Sequence, residues 1–597
     1  MLVSALAVVA WPSVAHGAGA GPAPGAVPTP ARFEVGAASV GIDPTVTTYA
    51  GGFGASPPIA AGHVVGAPLS VRALYVSNGS RAVELEAVDS QGEFAAYQEG
   101  AAYGITVARQ GAARAIDADR VGPAMSAADI IIQATHGHAE PTLQGLWGPV
   151  PVAYLAQVTE AEQAALVQAA RAARPAHIEV GSADATALDD VNLAQYDAYP
   201  GWAGDPLLAV VRAVDAGTGA TIATYATVPA HPDIVCGACM DALDADYPGV
   251  VRSTLEAQFG GVAMVGPGTL GREETPVQAT DTHYMPLLAE QAADLVDVAV
   301  RGGHFLTSDV IGASQRFVRF PGTNAALLAL VEANHLPDAQ KQQVLQASGQ
   351  YPIDRADTAP YQVGNMVGTW LTAFRLGNVA VVSEPGEGFP EVRETIADAA
   401  WGADLVIGLS EAQDDIGYFY PAWESALAAA VYPSDGFTNS VAPEAGDVVI
   451  KGQVADLQAL GFATTVAAAT PLPFTVTQSV APGLQVVGGP FDAVAGPGGR
   501  AAVQLLAVYS PPDLPEGTLN YGPPNGVALE QATLGPVQWD FGDGTTGTSG
   551  YHEFSGSDLL PTIFVHDFVI GVHTVRATVT SVTGQRASWT FTVTVRP

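Results

Sequence analysis

A single change of pattern divides this chain and limits the folds that it can adopt. From Arg32 to about residue 465, β-type runs alternate with amphipathic helical runs such as those at 160–173 and 285–300. From about Phe474 onward the chain has short alternating apolar runs, Gly/Pro turns and almost no helical periodicity. Alternating strands and helices indicate an α/β architecture with a mixed sheet, whereas period-two alternation indicates a β-sandwich. We therefore predict an α/β domain over residues 32–465 and an all-β domain over residues 472–597.

The N-terminal segment has the composition of an export signal. An apolar run over residues 2–12 is followed by small residues around 15–20, and residues 21–31 are rich in small residues and proline. This pattern predicts a signal peptide over residues 1–20, a linker over residues 21–31, and a secreted, extracellular protein. No later stretch reaches the ~20 uninterrupted apolar residues that a membrane span needs, so no transmembrane segment is expected.

Charge and cysteine content narrow the function classes. The chain has 23 Lys and Arg against 59 Asp and Glu, a net charge of −36, so nucleic acid would be repelled over most of the surface. Cys236 and Cys239 are the only cysteines. In an oxidising compartment a small local disulfide is their simplest state. A redox or metal role is the alternative, because His231 lies five residues before Cys236.

Four apolar runs are each followed by side chains that can bind metal or transfer protons. The pairs of strand and following residues are 130–135 with His136 and His138, 222–228 with His231, 379–382 with Glu384 and Glu387, and 405–409 with Asp414, Asp415 and Tyr418. Residues i and i+2 of a strand face the same side, so both imidazoles of the first pair can enter one site. Open α/β sheets place their sites at the carboxyl ends of strands. Imidazoles plus a carboxylate are the ligand set of a catalytic zinc, so the pattern predicts a metal site.

The same segments carry a resemblance to a known family. The segment Ala134-Thr-His-Gly-His-Ala-Glu-Pro resembles the A-T-H-T-H-S-G-P motif of the neutral/alkaline non-lysosomal ceramidases. Further similarities follow in the family's order at Val228-Pro-Ala-His-Pro, Ala245-Asp-Tyr-Pro-Gly, Pro385-Gly-Glu387 and Asp414-Asp-Ile-Gly-Tyr418, with the opening strand at 33–44. The resemblance covers about residues 33–450.

The resemblance implies a secreted zinc hydrolase that cleaves the N-acyl amide of a ceramide-like lipid. It implies His136, His231, Glu387 and Tyr418 as zinc ligands and His138 as the residue that assists proton transfer or carbonyl polarisation. A phenol is an uncommon zinc ligand, and Tyr418 as an oxyanion stabiliser is the alternative role.

Several positions depart from the family's pattern. Where the family has an aspartate and a reactive serine, this chain has Arg272 and the hydroxyls of Thr269 and Thr275, of which Thr275 is the candidate catalytic residue. Two alternatives therefore stay open. One is a zinc hydrolase of another amide or ester on the same scaffold, and the other is a non-catalytic protein that binds surface lipids or glycans.

The C-terminal part resembles a second family. Trp539-Asp-Phe-Gly-Asp-Gly, Val565-His-Asp-Phe and Gly571-Val-His-Thr-Val are similar, in order, to the polycystic-kidney-disease-type immunoglobulin-like module. The resemblance implies an immunoglobulin-like sandwich that makes weak contacts with glycans or proteins. Asp540 and Asp543 are interpreted as parts of a hydrogen-bonded turn, with a bound cation as the alternative.

Overall fold

The structure is a computed structural model of the 597-residue chain. It describes residues 30–52, 56–97, 102–188, 204–235, 241–273, 275, 285–321, 337, 339–341, 343, 362–363, 366–421, 440–441, 445–464, 484–487, 491–495, 498–509, 537–549, 560–580 and 586–597. The predicted signal peptide, Cys236 and Cys239 lie outside these ranges. None of the helices within them is long and apolar enough to cross a membrane.

A mixed sheet of nine strands forms the larger part of the α/β domain. Its strands are β1 (Phe33–Gly41), β2 (Ser70–Ser77), β3 (Ala82–Val88), β4 (Ile130–Ala134), β5 (Arg174–Asp184), β6 (Leu207–Asp215), β7 (Thr221–Val228), β8 (Val262–Pro267) and β9 (His304–Phe305). The order is β4-β3-β2-β1-β5-β6-β7-β8, with β9 beside β5. Only the outermost pairs, β3 with β4 and β7 with β8, are parallel. The prediction of a mixed sheet is confirmed.

The two edges of this sheet approach each other through one buried glutamine. Gln133 in β4 donates its amide hydrogen to the Pro267 carbonyl of β8 at 2.7 Å, and Tyr225 of β7 donates to Gln133 Oε1 at 2.6 Å. A Cβ atom at Gly266 would lie 2.2 Å from that same oxygen, so only glycine fits there. The first sheet is therefore curved so strongly that its two edge strands, β4 and β8, meet, although six strands lie between them in the sheet order. The carboxyl ends of β4 and β7 consequently come together.

The helices pack on one face of the sheet, in two groups. They are α1 (Ile105–Asp119), α2 (Val152–Arg171), α3 (Asp246–Phe259) and α4 (Met285–Gly302). Apolar residues of α1 and α2, such as Ile116 and Leu166, share a buried core with residues of β2 and β4. A second core joins residues of α3 and α4 to β6, β7 and β8. Burial of these apolar stripes is what fixes the helices on the sheet.

A second, smaller mixed sheet packs against the first. It contains β10 (Ile311–Pro321), β11 (Gln362–Val363), β12 (Met366–Leu376), β13 (Val379–Ser383) and β15 (Leu405–Leu409), in the order β10-β12-β13-β15 with β11 beside β12. Beyond it lie the short parallel strands β14 (Glu387–Gly388) and β16 (Tyr418–Phe419) and the helices α5 (Pro390–Ala399) and α6 (Ala445–Ala459). One apolar core contains Tyr225 and Met264 of the first sheet with Phe374 and Ile407 of the second.

Every regular element described beyond residue 464 is a strand. A sheet of β17 (Leu484–Val487), β19 (Arg500–Tyr509) and β22 (Leu560–Val569) has the order β17-β19-β22. A second sheet, of β18 (Phe491–Val494), β20 (Val537–Asp540), β21 (Thr546–Ser549), β23 (Gly571–Thr580) and β24 (Arg586–Arg596), has the order β18-β24-β23-β20-β21. Residues of both sheets, including Trp539 and Phe568, share one core. The immunoglobulin-like assignment stays a prediction.

Candidate metal centre

His136 and His138 meet in one site, but not because of strand alternation. Strand β4 ends at Ala134, and His136 has the left-handed φ of +65°. The chain therefore turns at His136, whose backbone N–H donates to the Ser90 carbonyl at 2.9 Å. The two imidazole centroids are 5.2 Å apart. The turn at His136 therefore brings the two rings together, and the explanation through period-two geometry was wrong.

A buried carboxylate fixes this turn. Glu140 Oε2 accepts hydrogen bonds from the Gly137 backbone N–H at 2.9 Å and from the Thr135 hydroxyl at 2.6 Å. A Cβ at Gly137 would lie 2.4 Å from Glu140 Cδ, so the glycine and the glutamate fit each other. These two residues depart from the ceramidase motif, and they fill one space together.

His231 follows β7 and is held by the loop after β8. Its backbone N–H donates to the Glu273 carbonyl at 2.8 Å, and its Nδ1 lies 3.2 Å from the same oxygen. The carboxylate of Asp246, at the start of α3, accepts the Val235 N–H at 2.7 Å and ties the rest of the His231 loop to that helix. Nε2 of His231 is left facing the interior of the site.

Glu387 and Tyr418 are brought together by a short parallel ladder. In the pairing of β14 with β16, Glu387 lies opposite Tyr418. The Tyr418 hydroxyl donates a hydrogen bond to the Glu387 carboxylate. Both side chains are buried, at the end of the smaller sheet.

The imidazoles of two loops converge on the Glu387 carboxylate. His136 Nε2 lies 3.4 Å from Glu387 Oε1, and His231 Nε2 lies 3.2 Å from Glu387 Oε2. The His231 ring centroid is 5.1 Å from that of His136 and 5.4 Å from that of His138. One ligand atom from each of the three histidines falls within 4.8 Å of the others. This buried group of histidine and glutamate side chains could hold a metal ion.

The protonation states of these groups suit a divalent cation. Burial, joined by the charge of His231, outweighs the opposing effects of Glu387 and the Gln91 carbonyl and lowers the pKa of His136 to about 4. Burial raises the pKa of Glu387, but His136, His231 and Tyr418 outweigh it and hold that pKa below its usual value. Neutral imidazoles and an ionised carboxylate are the forms that bind metal.

His138 is the third imidazole of the group. Burial, followed by the charges of His136 and His231, holds the pKa of His138 well below its ordinary range. Its ring is therefore neutral at pH 7. Its backbone N–H donates to the Pro232 carbonyl at 2.9 Å, which links the two histidine loops directly.

Glu411 is a site residue that the sequence analysis missed. It lies two residues after β15 and has a left-handed φ of +57°. Its Oε1 is 3.6 Å from His136 Nδ1, and it forms a candidate metal-binding group with His136 and Glu387. The rule that selected the other residues, a polar side chain just past a strand, also applies to Glu411.

The neighbouring aspartates have structural partners. Asp414 accepts hydrogen bonds from the Ala95 N–H at 2.9 Å and from the Thr369 hydroxyl at 2.6 Å. Asp415 accepts the Gly417 N–H at 2.9 Å and so closes the turn before Tyr418. Of the carboxylates that follow β15, Glu411 is the one brought to His136.

The two candidate threonines occupy different places. Thr275 donates its hydroxyl to Asp233 at 2.9 Å, and Asp233 lies two residues after His231. Thr269 donates to Asp205 at 2.7 Å, in a cluster that also contains Arg393. Arg272 is fully buried and donates to Glu391 at 2.7 Å. Thr275 is thus the hydroxyl attached to the His231 loop.

The fold and the site define an α/β protein with a buried histidine and carboxylate centre, and two solved structures share the fold. One is a neutral ceramidase from Pseudomonas aeruginosa, with a TM-score of 0.52 at 15% sequence identity. The other is described as a ceramidase complexed with C2, with a TM-score of 0.54 at 15% identity. Each match covers 95% of this chain and 100% of the solved chain, so it extends well beyond the residues 33–450 of the sequence resemblance. No protein-family profile and no curated protein sequence matches the chain.

Proposed function

We propose that this protein is an exported zinc hydrolase that cleaves the N-acyl amide of a ceramide-like sphingolipid into a fatty acid and a sphingoid base. The observation that carries the proposal is the convergence of His136 Nε2 and His231 Nε2 on the two oxygens of the Glu387 carboxylate. The ceramidase fold supports the choice of substrate class.

His136, His231 and Glu387 would hold the zinc, which leaves a position of a four-coordinate site for a further ligand. Tyr418 is the fourth protein ligand, or it remains on Glu387 and faces the substrate. When bound, zinc supplies a Lewis acid and lowers the pKa of water from 15.7 towards about 7.

The remaining steps belong to side chains of the chain itself. Neutral His138 accepts the proton of the attacking water and returns it to the amine nitrogen as the C–N bond breaks, so the acyl carbon gains OH and the amine gains H. The Tyr418 hydroxyl can stabilise negative charge that develops on the carbonyl oxygen. Thr275, held by Asp233, orients the substrate beside the His231 loop.

A second candidate is hydrolysis of another amide or an ester at the same centre. It is favoured by Arg272, which is buried against Glu391 where the ceramidase pattern has an aspartate. The third candidate, a non-catalytic protein that binds surface lipids or glycans, requires only that the centre hydrolyses no substrate.

The C-terminal sheets supply the binding role in this proposal. Apolar side chains of the β22–β23 turn are exposed, with Ile570 at 45% and Val572 at 71%. Exposed apolar groups at one place are typical of a contact surface. We expect Val572→Asp to keep hydrolysis of a soluble substrate and to weaken adhesion to glycan-coated or protein-coated surfaces; unchanged adhesion would remove this role.

Product analysis tests the substrate proposal. The purified protein is incubated with a labelled short-chain ceramide, the ester of matched acyl length, and an N-acyl amino acid, and the products are separated by chromatography. We expect fatty acid and sphingoid base from the ceramide, and none from the His231→Ala variant. Release from the ester or the N-acyl amino acid alone would support the second candidate, and zinc binding without any release would support the third.

A further inference from the structure

We propose that Glu411 is a positioning residue that accepts the Nδ1 hydrogen of His136 and so directs Nε2 of that ring to the metal. The inference rests on the proposed metal centre and deepens it. It concerns a carboxylate that neither the sequence motifs nor the fold likeness singled out.

The two nitrogens of the His136 ring face two different carboxylates. Nε2 points to Glu387 at 3.4 Å, and Nδ1 points to Glu411 Oε1 at 3.6 Å. A neutral imidazole that binds metal through Nε2 carries its hydrogen on Nδ1. That N–H is buried and needs an acceptor, since leaving it without one costs about 1–3 kcal/mol. A shift of a few tenths of an ångström brings Glu411 into hydrogen-bond distance.

The backbone of Glu411 connects the two loops that carry the ligands. Its N–H donates to the Gly386 carbonyl at 2.9 Å, next to Glu387, and its own carbonyl accepts the Ala134 N–H at 2.9 Å, two residues before His136. The left-handed φ of Glu411 allows both contacts at once. The side chain is therefore fixed relative to both metal ligands.

Space for the Glu411 carboxylate is kept by a glycine. A Cβ at Gly92 would lie 3.0 Å from Glu411 Oε2, 2.4 Å from Asp415 Oδ2 and 2.3 Å from Gln144 Nε2. Three polar side chains thus fill the position that any larger residue would occupy. The Glu411 carboxylate is thus packed at Gly92 through Oε2, and its Oε1 faces the His136 ring.

The other imidazole ligand has an equivalent arrangement. His231 Nδ1 lies 3.2 Å from the Glu273 carbonyl, while its Nε2 faces Glu387. Outer oxygens of this kind set the tautomer and orientation of metal-bound histidines. For His136, the Gln91 carbonyl is the competing acceptor. Experiment can distinguish the two acceptors, because a substitution of Glu411 removes its carboxylate and leaves the Gln91 backbone carbonyl in place.

The experiment measures zinc affinity of the full chain by competition with a chelator. Variants are Glu411→Ala, Glu411→Gln and the control Glu84→Ala, which removes an equally buried carboxylate from β3. Loss of an outer partner weakens metal binding about 10- to 100-fold. We expect this loss for Glu411→Ala, a smaller loss for Glu411→Gln because its amide oxygen can still accept, and wild-type affinity for Glu84→Ala.

A second readout follows the tautomer directly. In ¹⁵N-histidine-labelled, zinc-loaded wild type, we expect the His136 resonance, assigned with His136→Gln, to show hydrogen on Nδ1 and an altered Nδ1 shift in Glu411→Gln. Equal zinc affinity in wild type and Glu411→Ala, or an Nδ1 shift indifferent to Glu411→Gln, would overturn the inference and assign the role to Gln91. A wild type that binds no zinc would instead refute the proposed metal centre. Should Glu411→Ala not fold, Glu411→Gln and the wild-type spectrum decide.

Discussion

Two histidine and carboxylate contacts in this molecule have opposite characters. In the C-terminal sheets, His566 Nε2 lies 2.8 Å from Asp543 Oδ2, with the side chains 16% and 14% exposed. In the α/β domain, His136 and His231 lie 3.4 and 3.2 Å from Glu387, all deeply buried. The His566–Asp543 contact is a single short hydrogen bond between two side chains. Around Glu387, two imidazole nitrogens lie at longer distances from one carboxylate, an arrangement that a bound cation would complete.

The surroundings of the two contacts show the same contrast. Asp543 Oδ1 accepts the Thr545 N–H at 2.9 Å, and Asp540 Oδ1 accepts the Gly542 N–H at 3.1 Å, so both aspartates serve the turn between β20 and β21. The interpretation of a hydrogen-bonded turn is confirmed. At the candidate metal centre the partners come from four distant segments, and each is positioned by backbone contacts of another. A local contact stabilises a turn, whereas a non-local one creates a site.

The two contacts should differ most strongly in the loss of zinc affinity that follows removal of the carboxylate from each. Glu387→Ala is expected to reduce zinc affinity by more than the 10- to 100-fold that loss of an outer partner costs, because it removes a ligand. Asp543→Ala is the matched control and should bind zinc like the wild type. Calorimetric titration of metal-free protein measures both. Equal affinities in the two variants would place the metal elsewhere.

His138 should affect chemistry without affecting metal. Because its proposed role is proton transfer, His138→Gln is expected to lower the hydrolysis rate about 10²- to 10⁴-fold. Zinc content, measured by atomic absorption after dialysis, should remain that of the wild type. Loss of zinc together with activity would make His138 a ligand and Tyr418 a substrate contact.

Gln133 tests the dependence of the site on sheet closure. Its side chain bonds to the Pro267 and Ser410 carbonyls and the Tyr225 hydroxyl, at 2.7, 2.8 and 2.6 Å. Gln133→Ala leaves these buried groups without their partner, so we expect a loss of about 3 kcal/mol in the free energy of unfolding. The urea midpoint of the domain measures it. Gln538→Ala, which removes a glutamine from the C-terminal sheets, is the control. A midpoint of Gln133→Ala equal to that of Gln538→Ala would contradict the closure of the sheet by Gln133.

The smallest effect is expected at the partly buried contact between His566 and Asp543. His566→Ala should destabilise the C-terminal strands by at most about 1 kcal/mol and leave hydrolysis intact. Partial burial raises the pKa of Asp543, but hydrogen bonds from His566 and Thr545 outweigh it and hold that pKa below its ordinary value. Such a contact stabilises the fold above the unfolded-state pKa and is lost as the pH falls through the folded-state pKa. The hydrogen-exchange protection of β22 and β23 should therefore differ between His566→Ala and wild type at neutral pH, and the two proteins should become alike in acid. A difference that grows in acid would contradict this role of the contact.

Much of the site could be predicted from the sequence because its residues follow strands. Strand ends selected His136, His138, His231, Glu387 and Tyr418, and the structure groups these side chains around one point. The alternating pattern likewise predicted the mixed sheets. Local periodicity predicts these features because an apolar run locates a buried strand, and the end of the run locates the polar residues that follow the strand.

The remainder depended on contacts between distant segments. Closure of the first sheet requires Gln133, Tyr225 and Gly266 together, and no local pattern relates them. The left-handed φ values of His136 and Glu411 arise from surrounding hydrogen bonds, not from residue preference, since neither is glycine. Glu411 could not be separated from Asp414 and Asp415 by sequence, because all three carboxylates follow β15.

The most direct measurement is zinc-dependent fatty-acid release from a labelled short-chain ceramide by wild type and His136→Ala, each assayed as purified, after chelation and after return of zinc. We expect the wild type to lose activity on chelation and to regain it with zinc, and His136→Ala, although folded, to stay inactive in all three states. Release by His136→Ala equal to that of the wild type, or release by the wild type that survives complete removal of metal, would contradict a zinc-dependent reaction at His136.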